Sequence, residues 1–322
     1  MSGHPSRDAL VATAGETIAR GSLSFAAASR LFDRATRDRA WLLYSWCRAC
    51  DDIADGQEMG HDMTRVDDGP ARLARVRALT DAVLSGEWVG DPSFDGLRYV
   101  VAETGLPRWM IDDHLAGFAL DAEGWRPQTE RDLLRYCYHV AGAVGCMMAV
   151  VMGVAPDDTA TLDRASDLGL AFQLANIARD IDEDARNGRC YLPAEWLPGG
   201  RIDGLTRAGR GELGVRLARM VEDYETSARH GTPALSFRSA WAVLAAARIY
   251  GGIARKVAAR GEAAWDARVR TSGGEKLSAI AATAGEAARR MRRFPASAPR
   301  AEGLWTRERD LSRPADPTSP RP

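Results

Sequence analysis

Lysine is almost absent from this chain of 322 residues, where it occurs only at Lys256 and Lys276. The 43 basic residues are therefore nearly all arginine, and 44 acidic residues balance them to a formal net charge of −1. A chain that binds nucleic acid through its phosphates normally carries a clear basic surplus. The charge balance therefore predicts no nucleic-acid partner.

Cysteine is also scarce. The five cysteines include one CxxC pair, Cys47 and Cys50, with no second pair at the spacing of a zinc site. We interpret them as small, reduced, buried residues. The N-terminus is polar and has no apolar signal segment, so the sequence predicts a cytoplasmic protein.

Long apolar runs and nucleotide-binding glycine motifs are missing as well. The longest apolar run, 140–155, is shorter than the ~20 residues that span a bilayer, so we predict a buried core helix there. A peripheral contact with the inner face of a membrane stays open, although no amphipathic anchor stands out. No GxGxxG follows a strand, so we expect no nicotinamide cofactor.

What the sequence does contain is helical periodicity along most of its length. Apolar residues recur at three- and four-residue spacing, and segments such as "GDPSFDG" and "GVAPDD" separate the helical blocks. We predict an all-α fold of about ten helices, built as a single bundle over residues 1–294. The composition of 295–322, rich in proline and charge, predicts a disordered tail.

A ribbon of polar residues follows the first acidic motif, in "WCRACDDIADG". It has the spacing i, i+4, i+7, i+11 and consists of Tyr44, Arg48, Asp51 and Asp55. Residues at this spacing share one helix face. The flanking positions are apolar, so the ribbon belongs to a helix that is otherwise buried.

A second ribbon of the same kind follows "NIARDIDEDARNG" and consists of Gln173, Asn176, Asp180 and Asp184. Either acidic pair alone would usually be a solvated helix face. Two ribbons of similar spacing, each flanked by apolar residues, argue against a solvated helix face as the explanation for both. An EF-hand at 180–191 is excluded, because its sixth position is Ala185 and its twelfth is Tyr191.

Carboxylates inside a bundle need cations, because an uncompensated buried charge costs several kcal/mol. Mg²⁺ suits oxygen ligands and is often shared with substrate phosphates. Guanidinium groups match phosphate oxygens, which favours Arg48 and Arg179 as further contacts. The two ribbons therefore predict a metal-bound diphosphate between two helices.

The same segments resemble a known family. "LYSWCRACDDIAD", "YCYHVAGAVG" and "GLAFQLANIARDIDEDARNGRCYLP" are similar to signature segments of the squalene and phytoene synthases. The likeness runs from about residue 22 to 277 and is nearest to the bacterial phytoene synthases. It implies an isoprenoid-synthase fold around a central cavity, with Mg²⁺ or Mn²⁺ as cofactor.

The resemblance carries roles onto individual residues. The implied metal ligands are Asp51, Asp55, Asn176, Asp180 and Asp184. The implied substrate contacts are Ser22, Ser24, Phe25, Tyr44, Arg48, Gln173, Arg179, Tyr191, Tyr250 and Arg268. The implied catalytic set is Asp51, Asp55, Asp180, Asp184, Tyr44, Tyr136 and Tyr250, and Tyr136 and Phe25 are expected to face the cavity.

The expected activity is that of a magnesium-dependent prenyltransferase. It would join two geranylgeranyl diphosphates head to head, through a cyclopropyl diphosphate, to phytoene, a step of carotenoid biosynthesis. One alternative keeps this chemistry with farnesyl diphosphate, giving squalene or dehydrosqualene. Another is a non-catalytic homologue that binds partner enzymes. The sequence assigns no oligomeric state.

Overall fold

The structure, a computed structural model, describes residues 4–21, 23–55 and 68–308, with the side chains of residues 23, 24 and 55 left out. Within these ranges it contains thirteen α-helices and no strand, which confirms the predicted all-α class. They are α1 (Arg7–Gly21), α2 (Leu23–Ser29), α3 (Arg34–Asp55), α4 (Gly69–Leu84), α5 (Pro92–Thr104), α6 (Arg108–Ala122), α7 (Glu130–Cys137), α8 (Ala143–Val151), α9 (Thr159–Arg186), α10 (Arg207–Arg229), α11 (Phe237–Arg260), α12 (Gly273–Ala288) and α13 (Arg290–Arg293). A π-helical turn, Tyr138–Gly142, joins α7 to α8, and short 3₁₀ turns lie at Ala194–Trp196, Pro198–Gly200, Ile202–Gly204, Thr232–Ala234 and Gly261–Ala263.

Local capping fixes where several helices begin. Asp91 caps α5 by accepting the backbone N–H of Ser93 at 2.9 Å, with Pro92 in the first turn. Thr129 and Asp132 form a reciprocal capping box at the start of α7. Such caps satisfy backbone donors that the helix leaves unpaired. The helix boundaries therefore follow from short-range chemistry.

Helices α3 and α9 are the two long central helices. α3 packs on α1, α4, α5 and α8, while α9 packs on α8, α10, α11 and the π turn. One apolar core forms around α3, α5, α6 and α8, and a second around α7, α9, α10 and α11. The two acidic motifs thus lie on the helices around which the two cores are built.

Glycine lets α9 approach the π turn and α8 very closely. A Cβ at Gly169 would lie 2.3 Å from the carbonyl oxygen of Ala141, and one at Gly145 would lie 2.4 Å from that of Ala165. A side chain at either position would collide with backbone, which cannot move aside as a flexible side chain can. The small residues of "AGAVGCMMAVVMGV" therefore serve close helix packing.

The apolar run at 140–155 forms a core helix in the structure. Among the described residues one helical stretch, Glu130–Val151, passes a length-and-composition test for a membrane span, and 61% of its most apolar window is buried inside the protein. Cys146, Met147 and Val151 are almost fully buried. This arrangement agrees with a core helix, while the cytoplasmic location and the peripheral membrane contact stay predictions.

The C-terminal segment departs from the predicted disorder, which we expected to begin at residue 295. Arg300 donates to both carboxylate oxygens of the buried Asp167, at 2.6 and 2.9 Å. Arg164 donates to the carbonyl of Ala298 at 2.7 Å, and Trp305 is only 9% exposed. Residues 295–308 are therefore packed on the bundle. Composition indicated otherwise because it does not register a distant partner such as Asp167. Residues 309–322 lie outside the described ranges.

Candidate active site

A cavity of about 340 Å³ lies inside the bundle between α2, α3, α8, α9 and α11. Most of its wall is apolar and includes Phe25, Ala28, Phe32, Leu43, Val144, Met148, Leu168, Phe172, Leu235, Val243 and Ile249. A pocket with an apolar wall and a few polar groups is the usual form of a small-molecule site. The small residues of the π turn and α8 also contribute to this wall, so they line the cavity as well as pack helices together.

The first polar ribbon borders the cavity. Tyr44, Cys47 and Asp51 line it from α3, at the spacing that one helix face provides. Arg48 lies 3.6 Å from the Asp51 carboxylate and donates to the Tyr44 hydroxyl at 3.5 Å. Burial raises the pKa of the Cys47 thiol, so this cysteine is a neutral wall residue. The structure therefore joins an acid, a cation and a phenol at one edge of the cavity.

The second polar ribbon borders the same cavity from α9. Phe172, Gln173 and Asn176 line it. Tyr250 of α11 also lines the cavity and stacks on Phe172, with ring centroids 4.1 Å apart. A similar pair, Phe25 on Tyr44, lies 4.8 Å apart and also lines it. The structure thus brings part of each ribbon, together with two aromatic pairs, to one chamber.

Asp180, a predicted metal ligand, and Arg179 and Arg268, two predicted substrate contacts, are not among the residues that line this cavity. Arg179 donates to Asp180 at 2.8 Å, and Arg268 lies 3.2 Å from the same carboxylate. Arg268 also pairs with Glu183 at 3.0 Å. The Asp180 charge is therefore compensated here by two guanidinium groups. The substrate contacts predicted for Arg179 and Arg268 stay predictions.

Asp184 lies one turn further along α9. The pKa of Asp184 is raised to about 7, mainly by burial and secondly by the negative charge of Asp180. The nearby Arg189 acts in the opposite direction. A carboxylate whose charge is disfavoured in this way is well suited to a cation that the protein itself does not supply.

Tyr136 lies elsewhere than the sequence predicted. It was expected to face the cavity, but it is 3% exposed and is not among the lining residues. Its ring stacks on Tyr191 at 4.9 Å and on Trp125 at 5.8 Å. Its hydroxyl donates to Asp121 because a buried phenol requires an acceptor.

Asp121 contacts two of the predicted site residues and is not itself among them. It accepts hydrogen bonds from Tyr136 at 3.0 Å and from Tyr191 at 3.3 Å. A signal was present in "DDHLAGFALD", where Asp113 and Asp121 are eight residues apart on a largely apolar helix. A spacing of eight residues keeps both carboxylates within one broad face of a helix, so this pattern indicates both residues.

Three predicted site residues cannot be placed. Ser22 lies outside the described residues, as do the side chains of Ser24 and Asp55. Among the side chains that are described, no group of three or more His, Cys, Asp or Glu residues forms a metal site by itself. The five predicted metal ligands therefore stay predictions.

Solved structures identify the class of protein. The chain superposes on the crystal structure of a dehydrosqualene synthase in complex with ligand, with a TM-score of 0.76 at 25% identity, over 87% of this chain and 96% of that one. A squalene synthase, HpnC from Alicyclobacillus acidocaldarius, matches in fold with a TM-score of 0.69 at 21% identity, over 79% and 95% of the two chains. The fold is therefore the isoprenoid-synthase fold, as the resemblance implied.

Sequence comparison then gives the family. The squalene/phytoene synthase family model matches residues 18–275. The "Phytoene synthase" of Pseudescherichia vulneris is 45% identical, over 94% of this chain and 99% of that protein. The "15-cis-phytoene synthase" of Enterobacter agglomerans is 46% identical, over 89% and 98%. This chain belongs to the squalene/phytoene synthase family.

Proposed function

We propose that this protein is a magnesium-dependent phytoene synthase, which condenses two geranylgeranyl diphosphates head to head and releases two diphosphates. Family membership and the names of the relatives at 45% and 46% identity support this activity. The observation that carries the proposal is the cavity itself. Asp51 and Asn176, from two different helices, border one apolar chamber.

The residues present fit a hard divalent cation. Asp51 and Asn176 offer oxygen donors to one chamber, and burial together with the charge of Asp180 raises the pKa of Asp184, a shift that a bound cation would oppose. Together with Asp55 and Asp180 they would hold the metal. When bound, Mg²⁺ neutralises the charge of the diphosphate and makes it a better leaving group.

The chain's own residues then orient and shield the reacting carbons. Arg48, which lies 3.6 Å from the Asp51 carboxylate, would donate hydrogen bonds to the diphosphate oxygens. Tyr44 and Tyr250 line the chamber, and their rings would stabilise an allylic cation through its attraction to the ring quadrupole. Apolar side chains such as Met148 exclude the water that would quench such a cation.

The proposed reaction consists of two ionisation steps, each of which is followed by the loss of a proton. The C–O bond of the first substrate breaks, and diphosphate leaves with the electron pair. The double bond of the second substrate attacks the resulting cation, and loss of a proton gives a cyclopropyl diphosphate. Its own C–O bond then breaks, the carbon skeleton rearranges, and loss of a second proton forms the central double bond. No reductant is consumed.

The phytoene synthase proposal and the squalene or dehydrosqualene alternative differ in the length of the prenyl substrate. A farnesyl substrate would give a C30 hydrocarbon by the same steps, and the structural neighbours include enzymes with squalene and dehydrosqualene in their names. The relatives that cover about nine-tenths of the chain at 45% and 46% identity are named phytoene synthases. We therefore favour the C20 substrate.

One incubation tests the proposal. Purified protein with MgCl₂ receives geranylgeranyl diphosphate in one reaction and farnesyl diphosphate in another, and the extracted hydrocarbon is identified by mass spectrometry. We expect phytoene from the first and a slower reaction from the second. A C30 product formed faster than any C40 product would replace the proposal by the farnesyl alternative. No hydrocarbon from either substrate would support a non-catalytic homologue.

A further inference from the structure

Asp121 occupies the last turn of α6 and joins two tyrosines from separate parts of the chain. The hydroxyl of Tyr136, on α7, lies 3.0 and 3.1 Å from its two carboxylate oxygens. The hydroxyl of Tyr191, which follows α9, donates to one of the same oxygens at 3.3 Å. A single carboxylate thus fixes the position of two phenols.

Both phenols act as donors in this arrangement. Burial, and next the charge of Asp121, raises the pKa of Tyr136 and of Tyr191 well above the usual range, so both keep their protons. An ionised carboxylate only accepts hydrogen bonds. The two rings stack on each other at 4.9 Å, with an interplanar angle of 18°. Hydrogen bonding and stacking therefore define one orientation for each ring.

The cluster of Asp121, Tyr136 and Tyr191 is connected to the end of the second acidic helix. Arg189 donates to the Tyr191 hydroxyl at 3.4 Å, and its backbone N–H donates to the carbonyl of Asp184 at 2.9 Å. Arg126 holds the same loop by donating to the carbonyl of Gly188 at 3.0 Å. The loop that carries Tyr191 is thus tied to Asp184 on one side and to Asp121 on the other.

We propose that Asp121 is a positioning residue for the reaction proposed above, which it serves by holding Tyr136 and Tyr191 beside the end of α9. Asp121 itself is not among the residues that line the cavity. Its effect on the reaction passes through the two tyrosines and the loop 187–191. This inference rests on the proposed function and adds a residue to it.

A purely structural role for Asp121 predicts a different result. A carboxylate that only satisfies buried phenols would lower stability when removed and leave the kinetic constants of the folded enzyme unchanged. A positioning residue lowers kcat, because the reacting geometry loosens, and leaves KM nearly constant, because Asp121 itself is not among the residues that line the cavity. The split between kcat and KM therefore distinguishes the two roles.

Helix α6 offers a matched control. Asp113, two turns before Asp121, accepts a hydrogen bond from the buried Tyr138 at 2.5 Å, so it makes the same kind of pair. Tyr138 contacts Trp305 of the C-terminal segment. Asp113→Asn therefore perturbs a carboxylate–phenol pair on the same helix without touching Tyr136 or Tyr191.

The experiment compares the wild type, Asp121→Asn and Asp113→Asn as full-length proteins with geranylgeranyl diphosphate and Mg²⁺. We expect kcat for phytoene formation to fall about tenfold or more in Asp121→Asn, with KM within about twofold, since a hydrogen bond to a charged group is lost. Asp113→Asn should keep the wild-type kcat. An Asp121→Asn protein with wild-type kcat, or an equal loss in both variants, overturns the inference.

A second set of variants shows whether Asp121 acts through the tyrosines. Combined Tyr136→Phe and Tyr191→Phe should lower kcat as much as Asp121→Asn, and adding Asp121→Asn to them should cost little more. If Asp121→Asn does not fold, the variant that combines Tyr136→Phe and Tyr191→Phe tests the inference by itself. An unchanged kcat in that variant rejects the inference. Phytoene formation by the wild type tests the proposed function separately.

Discussion

Asp51 and Asp52 are neighbours in the sequence, but only Asp51 lines the cavity. Asp51→Asn removes a carboxylate that lies beside Arg48 and that we assign to the metal. We therefore expect phytoene formation to fall by about a thousandfold or more, because the developing diphosphate charge loses its main compensation. Product formation per minute from geranylgeranyl diphosphate measures the loss.

Asp52→Asn is the control for this substitution. It makes the same chemical change on the adjacent residue, so it should leave the rate within about threefold, a change of under 1 kcal/mol in the barrier. Equal losses in the two variants would show that the motif contributes through general charge and not through Asp51. An Asp51→Asn protein with the wild-type rate would reject the metal assignment for this residue.

His114 makes stability depend on pH. Burial lowers its pKa from 6.5 to about 4, and its Nδ1 lies 3.2 Å from the carbonyl of His139. The unfolded chain takes up the proton first as pH falls, so the native state loses stability between pH 6.5 and 4. From pH 7 to pH 5 this residue should cost about 2 kcal/mol of unfolding free energy.

Urea unfolding of the wild type and of His114→Leu at both pH values measures this effect. Leucine does not titrate, so the variant should lose about 2 kcal/mol less than the wild type over the same interval. The comparison cancels all other titrating groups. Equal losses in both proteins would mean that His114 is protonated in the native state as readily as in the unfolded chain.

At the scale of the helices, close packing of α9 on the π turn sets a strict size limit. Gly169→Ala would place a methyl group 2.3 Å from a backbone carbonyl. We expect it to lower the unfolding free energy by about 3 kcal/mol or more, since the backbone has to shift. Gly252→Ala, in α11, meets no atom within 4 Å and should raise stability by about 0.5–1 kcal/mol through helix propensity. A Gly169→Ala protein as stable as the wild type would contradict the packing described here.

The C-terminal segment offers a second comparison between elements. The Asp167 side chain is 1% exposed and its charge is compensated by Arg300. Arg300→Ala should lower the unfolding free energy by about 3–5 kcal/mol, because it removes the guanidinium partner of a buried carboxylate and leaves it the hydrogen bond from Ser227. Arg131→Ala breaks an exposed pair with Glu308 and should change it by less than about 1 kcal/mol. Denaturant titration gives both numbers, and similar losses would mean that the segment is only loosely attached.

For the molecule as a whole, local patterns predicted the helices and the shared helix faces that bring Tyr44, Asp51, Gln173 and Asn176 to the cavity, because helix faces depend only on spacing along the chain. They did not predict the position of Tyr136, whose hydroxyl is bound by Asp121 fifteen residues earlier. They also did not predict order at 295–308, which depends on Asp167, more than 130 residues away. In both cases the sequence patterns did not predict which distant residue would bind the buried polar group.

Ligand binding tests the whole arrangement through stability. A ligand that binds only the native state at 100 times its Kd adds about 2.7 kcal/mol, which for a chain of this size raises Tm by at least about 3 °C. We expect inorganic pyrophosphate with MgCl₂ to give such a shift and either component alone to give much less. Differential scanning calorimetry of the wild type and Asp51→Asn measures it. The variant should lose most of the shift, since Asp51 borders the chamber shared by both ribbons. Full retention of the shift in Asp51→Asn would place pyrophosphate binding outside that chamber.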